Sequence, residues 1–95
     1  MELAEAFGLT FRHLRIQLGL NQAAFHTIAA ASTLSRIERG HQLPALSMIE
    51  GLAKIMEIEP ITLLVLTAAM KDGSLEGSMV IERVENELRR LNRLG

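Results

Sequence analysis

The segment over residues 19–40, GLNQAAFHTIAAASTLSRIERG, constrains what this chain can fold into more than any other part of it. Asn21 is a favourable helix N-cap, so a short second helix is predicted over residues 22–28. The alanines at residues 29–31 then form a tight connection. A third helix is predicted from residue 32 or 33 to Arg39, because the glycine that follows can adopt the left-handed conformation that ends a helix. Two short helices in such close succession are typical of a helix-turn-helix.

The rest of the sequence predicts further helices and no strand. Apolar residues recur at positions 3, 7, 11, 14 and 18, which places them on one face of a first helix over residues 2–18. Pro44 suits the first turn of a fourth helix. Pro60 opens a fifth helix, which is apolar on most sides and is therefore expected to be buried. The predicted fold class is all-α, with five compact helices plus a C-terminal helix.

The C-terminal helix is predicted to follow a linker. The sequence DGSLEGS at residues 72–78 is rich in glycine and serine and indicates a break. A charged sixth helix follows over residues 79–94. We therefore expect a helix-turn-helix domain over residues 1–72, and a linker with an oligomerisation helix over residues 73–95.

Composition bears on the core and on the class of protein. Hydrophobic residues make up 48% of the chain but aromatic residues only 3%, so the core is expected to be aliphatic. There is no cysteine, and the three histidines do not have the spacing of metal ligands. Neither a glycine-rich phosphate loop nor a nucleophile triad is recognisable. We expect no enzyme activity, no cofactor and no metal.

The hydropathy of the sequence indicates a protein that does not enter membranes. No apolar run approaches the roughly 18 residues of a membrane span, and the N-terminus lacks the basic start of a signal peptide, so a cytoplasmic location is expected.

The charges of the chain are unevenly distributed. The net charge is −1, yet the charged residues between positions 8 and 44 are four arginines and one glutamate. A modest basic face of this kind suits double-stranded DNA as a partner, most of all for a dimer whose two footprints add.

Two motifs resemble the XRE family, the helix-turn-helix regulators that include the lambdoid phage repressors and Cro proteins. They are RIQLGLNQ at residues 15–22 and LSRIERG at residues 34–40, and the resemblance covers about residues 7–66. It implies a phage-repressor-like fold and a sequence-specific transcriptional regulator, for which we expect a repressor that binds palindromic operator DNA as a homodimer. Gln22 and Glu38 are 16 positions apart, roughly two fewer than in the familiar layout, and the usual glycine of the turn is absent. Either the second helix is half a turn shorter or the recognition helix is shifted.

The resemblance also implies contacts to the DNA backbone. Asn21 and Gln22 are expected at phosphate, the alternative being a plain N-cap with an exposed amide. Arg39 and His41 follow the third helix and would approach the backbone. The resemblance further pairs Arg15 with Glu38 across the first and third helices, where the alternative is two exposed charges.

Base recognition is predicted for the exposed side of the third helix. Arg36 can bond bidentately to guanine O6 and N7, and Ser32 and Thr33 can bond several base edges. Ser35 could cap the helix or contact phosphate. The alternative for this face is a solvated helix surface.

The C-terminal helix carries an apolar stripe with heptad spacing. Its members are Ile81, Val84, Leu88 and Leu91. The stripe could fold back on the first and fifth helices, or it could pack against a second copy of the chain. A different class of function also fits: a protein-interaction module, such as an antitoxin whose C-terminal helix binds a partner protein.

Overall fold

The chain folds into helices only, and the computed structural model describes all residues from 1 to 95. A single 3₁₀ turn, Gln22–Phe25, follows the first helix. The five α-helices are α1 (Leu3–Gln17), α2 (Ala31–Glu38), α3 (Leu46–Met56), α4 (Pro60–Lys71) and α5 (Ser78–Arg90). The all-α prediction is confirmed. None of these helices is long and apolar enough to cross a lipid bilayer.

The core is centred on the three phenylalanines of the chain. Phe7, Phe11 and Phe25 are all fully buried. The rings of Phe7 and Phe11 are parallel with centroids 6.5 Å apart, and Phe25 meets Phe11 edge to face at 5.1 Å. The expectation of an aliphatic core is met only in part, because three of the 11 residues of the core cluster are these phenylalanines. A low aromatic count says nothing about where the few rings lie, and here all three lie inside.

Leucine, isoleucine and methionine side chains complete the core around these rings. They come from α2, α3 and α4 and include Leu34, Ile37, Ile49, Leu52, Met56 and Leu63. The Thr10 hydroxyl donates a hydrogen bond of 3.4 Å to the Leu66 carbonyl oxygen, which ties α1 to α4. The α4 helix is buried along one side, whereas Ile61 at its start is exposed. The prediction of burial on most sides is therefore only partly met.

Glycine occurs inside α1, and the helix continues through it. Gly8 is buried where the end of α2 crosses α1, and a Cβ atom there would lie 2.2 Å from the Ile37 carbonyl oxygen. The absence of a side chain at Gly8 allows this close crossing. Tertiary packing therefore explains a glycine that would otherwise weaken the helix.

Several helix boundaries differ from the sequence prediction, and α2 already begins at Ala31, which the sequence assigned to the connection. Pro44 lies before α3 and is buried, because Ala45 is still extended and the helix begins only at Leu46. The predicted second helix is reduced to the single 3₁₀ turn. The α5 helix ends at Arg90 and not at residue 94, since Asn92 adopts a left-handed conformation with φ 57°.

The α5 helix packs against α4 through its first turns. Val80 is buried there, and Arg83 donates a 2.7 Å hydrogen bond to Asp72 at the end of α4. Beyond this contact most of the helix is exposed. The residues that link α4 to α5 lie where the sequence placed a linker.

Candidate nucleic-acid interface

The 3₁₀ turn and α2 form the helix-turn-helix unit. The Asn21 side chain accepts a hydrogen bond of 3.1 Å from the Ala24 amide, so it is the N-cap that the sequence predicted. Phe25 at the end of the turn reaches the core and anchors it. The chain then turns through residues 26–30 and enters α2 at Ala31. The 3₁₀ turn Gln22–Phe25 occupies the start of the segment for which the sequence predicted a helix over residues 22–28, whereas α2 has eight residues.

The exposed face of α2 carries three of the predicted DNA contacts. Ser32, Arg36 and Arg39 are exposed, while Leu34 and Ile37 on the opposite face are buried in the core. The remaining two candidates on α2 are half-buried, and they lie on different sides of the helix.

Thr33 and Ser35 are these two half-buried residues. Thr33 was expected on the exposed side and is half-buried: it lies one helical step of about 100° beyond Ser32, at the border between the exposed face and the core side of α2. Ser35 lies at the edge nearest the 3₁₀ turn, and its hydroxyl donates a hydrogen bond of 3.5 Å to the Gln22 side-chain oxygen. This bond joins the two helices of the unit and leaves the Gln22 amide NH₂ group free for an outside acceptor.

A polar cleft of about 320 Å³ lies between α1, the 3₁₀ turn and α2. No hydrophobic residue lines it. Its lining residues are Arg12, Arg15, Gln22, Ser35, Glu38 and Arg39. The cleft therefore collects guanidinium, amide and hydroxyl donors at one edge of the exposed face of α2.

Arg15 and Glu38 form a two-pronged ion pair at the floor of this cleft. The Arg15 Nε atom lies 2.7 Å from Glu38 Oε2, and Nη2 lies 3.1 Å from Oε1. The third donor, Nη1, bonds the Leu20 carbonyl oxygen at 3.0 Å. Only 14% of the Arg15 side chain and 8% of the Glu38 side chain are exposed. The pair therefore holds the end of α2 to α1 in one orientation.

The charges that remain in the cleft are positive. Because Arg15 and Glu38 neutralise each other, Arg12 and Arg39 determine the potential that an incoming group meets. Both are exposed. Sequence reasoning counted Arg12 among the basic residues but gave it no role. Arg12 lies three residues before Arg15 and therefore on a neighbouring part of the α1 surface. This spacing was the signal that could have placed Arg12 beside Arg15 at the same site.

The loop after α2 carries two more polar residues beside this face. His41 is exposed immediately after the turn that ends the helix. Gln42 is half-buried, and its side-chain oxygen accepts a hydrogen bond of 3.4 Å from Arg36 Nε. Gln42 was not among the residues that the sequence singled out, since nothing in the local pattern distinguishes it.

Comparison with known proteins agrees with this architecture. A family model described as a helix-turn-helix domain matches residues 6–63, which is more than half of the chain. The chain belongs to the helix-turn-helix domain family. No curated protein and no solved structure matches it.

The helix-turn-helix match covers α1 from residue 6 onward, α2, α3 and the first turn of α4. It therefore includes the exposed face of α2 and the whole polar cleft. Membership of this family points to DNA as the binding partner and to regulation of transcription. The α5 helix lies outside the matched residues.

Proposed function

We propose that this chain is a sequence-specific DNA-binding regulator of the XRE type, acting as a repressor in the cytoplasm and not as an enzyme. The observation that carries the proposal is the pairing of an exposed, arginine-bearing face on α2 with a polar cleft of net positive charge beside it. In this proposal α2 enters the major groove and the cleft meets the sugar-phosphate backbone.

Base reading is assigned to the centre of the exposed face. Arg36 is the residue for guanine, because its guanidinium can donate two hydrogen bonds to O6 and N7. Ser32 lies one turn earlier on the same face and can bond several base edges. Thr33 is half-buried, so we assign it a smaller contribution to base reading than Arg36 and Ser32 make.

Phosphate binding is assigned to the cleft and its rim. Asn21 and Gln22 have side-chain NH₂ groups that their own hydrogen bonds leave free. Arg12 and Arg39 add positive charge on either side of them. Ser35 and His41 flank this group, and together these residues would fix the register of α2 on the duplex.

We propose further that two copies pair through α5. The apolar stripe is largely uncovered within one chain: Ile81, Val84 and Leu91 are 49%, 43% and 57% exposed, and Leu88 is half-buried. A helix of this length is too short to be stable alone in water, so burial of the stripe against a second copy would stabilise it. A two-fold dimer would present two recognition helices about 34 Å apart, which matches a palindromic operator.

The experiment is selection of bound sequences from a random DNA pool at a stated salt concentration. The full chain should enrich one motif with two inverted half-sites centred about one helical turn apart. A chain with Arg36→Ala serves as the control and should lose preference at one base pair in each half-site. Recovery of unselected sequences by the full chain, at low and at moderate salt, would contradict the proposal.

The exposed stripe of α5 also supports a second candidate, a protein-interaction module such as an antitoxin. Glu85 and Glu87 flank the stripe, so a partner helix with basic flanks would also complement it. Sedimentation of the purified chain distinguishes the homodimer from the protein-interaction module. A monomer at high micromolar concentration that forms a stoichiometric complex with a co-purified protein favours this second candidate.

A further inference from the structure

We propose that Gln42 is a positioning residue that orients Arg36 for guanine, a role that depends on the DNA-binding function proposed above. The observation is the hydrogen bond of 3.4 Å from Arg36 Nε to Gln42 Oε1. It joins the residue assigned to base reading with a residue six positions later in the chain, outside the recognition helix.

The end of α2 explains how Gln42 comes to lie there. Gly40 has φ +76°, and its amide bonds the Ile37 carbonyl oxygen at 3.0 Å while the His41 amide bonds that of Arg36 at 2.9 Å. This pair of bonds is a Schellman motif, which reverses the chain at the end of a helix. Gln42, which follows this turn, is thereby brought back alongside Arg36.

This turn is held firmly against α1. A Cβ atom at Gly40 would lie only 2.9 Å from the Glu5 Cα atom, so the turn is in direct contact with the α1 backbone. Gln42 itself is half-buried, whereas Arg36 is exposed. The acceptor is therefore the less exposed of the two side chains and is adjacent to a turn packed on α1.

The atom through which Arg36 donates to Gln42 determines which of its other donors remain available to DNA. Gln42 takes the Nε–H, so both terminal NH₂ groups of the guanidinium remain free. These two groups can donate together to O6 and N7 of one guanine. Restricting the side chain before it meets DNA lowers the entropy lost on binding, which is the usual effect of preorganisation.

The experiment compares base preference in Gln42→Ala, Gln42→Glu and the unchanged chain, with DNA duplexes that carry each of the four bases at the position assigned to Arg36. That position is found first, from the base pair at which Arg36→Ala loses preference. Gln17→Ala is the matched control, because Gln17 lies on the side of α1 that faces α4 and is away from the recognition helix. Thermal unfolding verifies that each variant is folded.

The expected result is a loss of guanine preference in Gln42→Ala of about twofold to tenfold, the range of one net hydrogen bond. Gln42→Glu keeps an oxygen acceptor and should retain the preference, and Gln17→Ala should not change it. In the Arg36→Ala background Gln42→Ala should have no further effect at that base. These four results together would support the role.

Other results would overturn it. A uniform loss over all four bases in Gln42→Ala would make Gln42 a backbone contact, and an unchanged preference would make the hydrogen bond irrelevant to reading. Both outcomes leave the proposed function standing. If the unchanged chain itself shows no base preference at any position, the proposed function fails and the role of Gln42 fails with it.

Discussion

Gly8 of α1 lies directly beneath the main-chain carbonyl of Ile37 at the end of α2, so that a Cβ atom at residue 8 would be 2.2 Å from the carbonyl oxygen. Neither partner is a flexible side chain that could move aside. The two helices therefore meet backbone to backbone at this point. The position of α2 relative to α1 depends on this contact.

Gly8→Ala should lower the free energy of unfolding by about 1–3 kcal/mol, as overpacking of a core does. This loss would appear in spite of alanine's higher helix propensity, which by itself favours the variant by about 1 kcal/mol. Urea unfolding followed by circular dichroism measures the change.

Gly51→Ala in α3 is the matched control for Gly8→Ala. Its Cβ atom would meet the terminal Cδ1 atom of Ile28 at 2.8 Å, and the end of a flexible side chain can move. We expect a free energy of unfolding within about 1 kcal/mol of the unchanged chain, because the gain in helix propensity offsets the crowding. Equal stability of the two variants would show that the contact between α1 and α2 is not tight.

Glu38→Ala should destabilise the fold by about 3 kcal/mol, because it leaves the nearly buried Arg15 guanidinium without its partner. Asp72→Ala is the matched control, since the Arg83–Asp72 pair has the same 2.7 Å distance but side chains that are 57% and 51% exposed. Its effect should be below about 1 kcal/mol. Chemical denaturation of both variants in parallel tests the difference, and similar losses would contradict it.

Arg36→Ala should weaken binding to the selected operator by about 1–3 kcal/mol and relax the preference at one base pair. Arg39→Ala and Arg12→Ala should instead weaken binding to all sequences and reduce the slope of log K against log salt by about 1 each. Titrations of operator and random duplexes at several salt concentrations distinguish the two patterns. A base preference that survives Arg36→Ala would place the reading face elsewhere on α2.

Val84→Glu should convert the proposed dimer into a monomer, because it puts a charge into the apolar stripe of α5. Asn86→Glu adds the same charge on the opposite side of the helix and should leave the dimer intact. Both positions are exposed within one chain, so neither change should unfold it. Sedimentation equilibrium measures the association. A full-length chain that is monomeric before any substitution would refute the pairing through α5.

Sequence by itself determined the features that depend on neighbouring residues. Asn21 caps the 3₁₀ turn, the glycine at position 19 ends α1 with φ +72°, and Pro60 opens α4, as their chemistry predicted. Spacing of apolar residues predicted an all-α fold with a helix-turn-helix. Such signals act over a few residues, so a single sequence contains them in full.

Only the tertiary structure decided the features that join distant parts of the chain. The core position of Phe25 and the need for glycine at residue 8 depend on how helices cross, and the hydrogen bond between Arg36 and Gln42 depends on how the chain turns at the end of α2. The 3₁₀ turn in place of the predicted second helix belongs here too, because Phe25 at its end is buried in the core. Distances between elements are set by packing in three dimensions, and a pattern along the chain does not contain them.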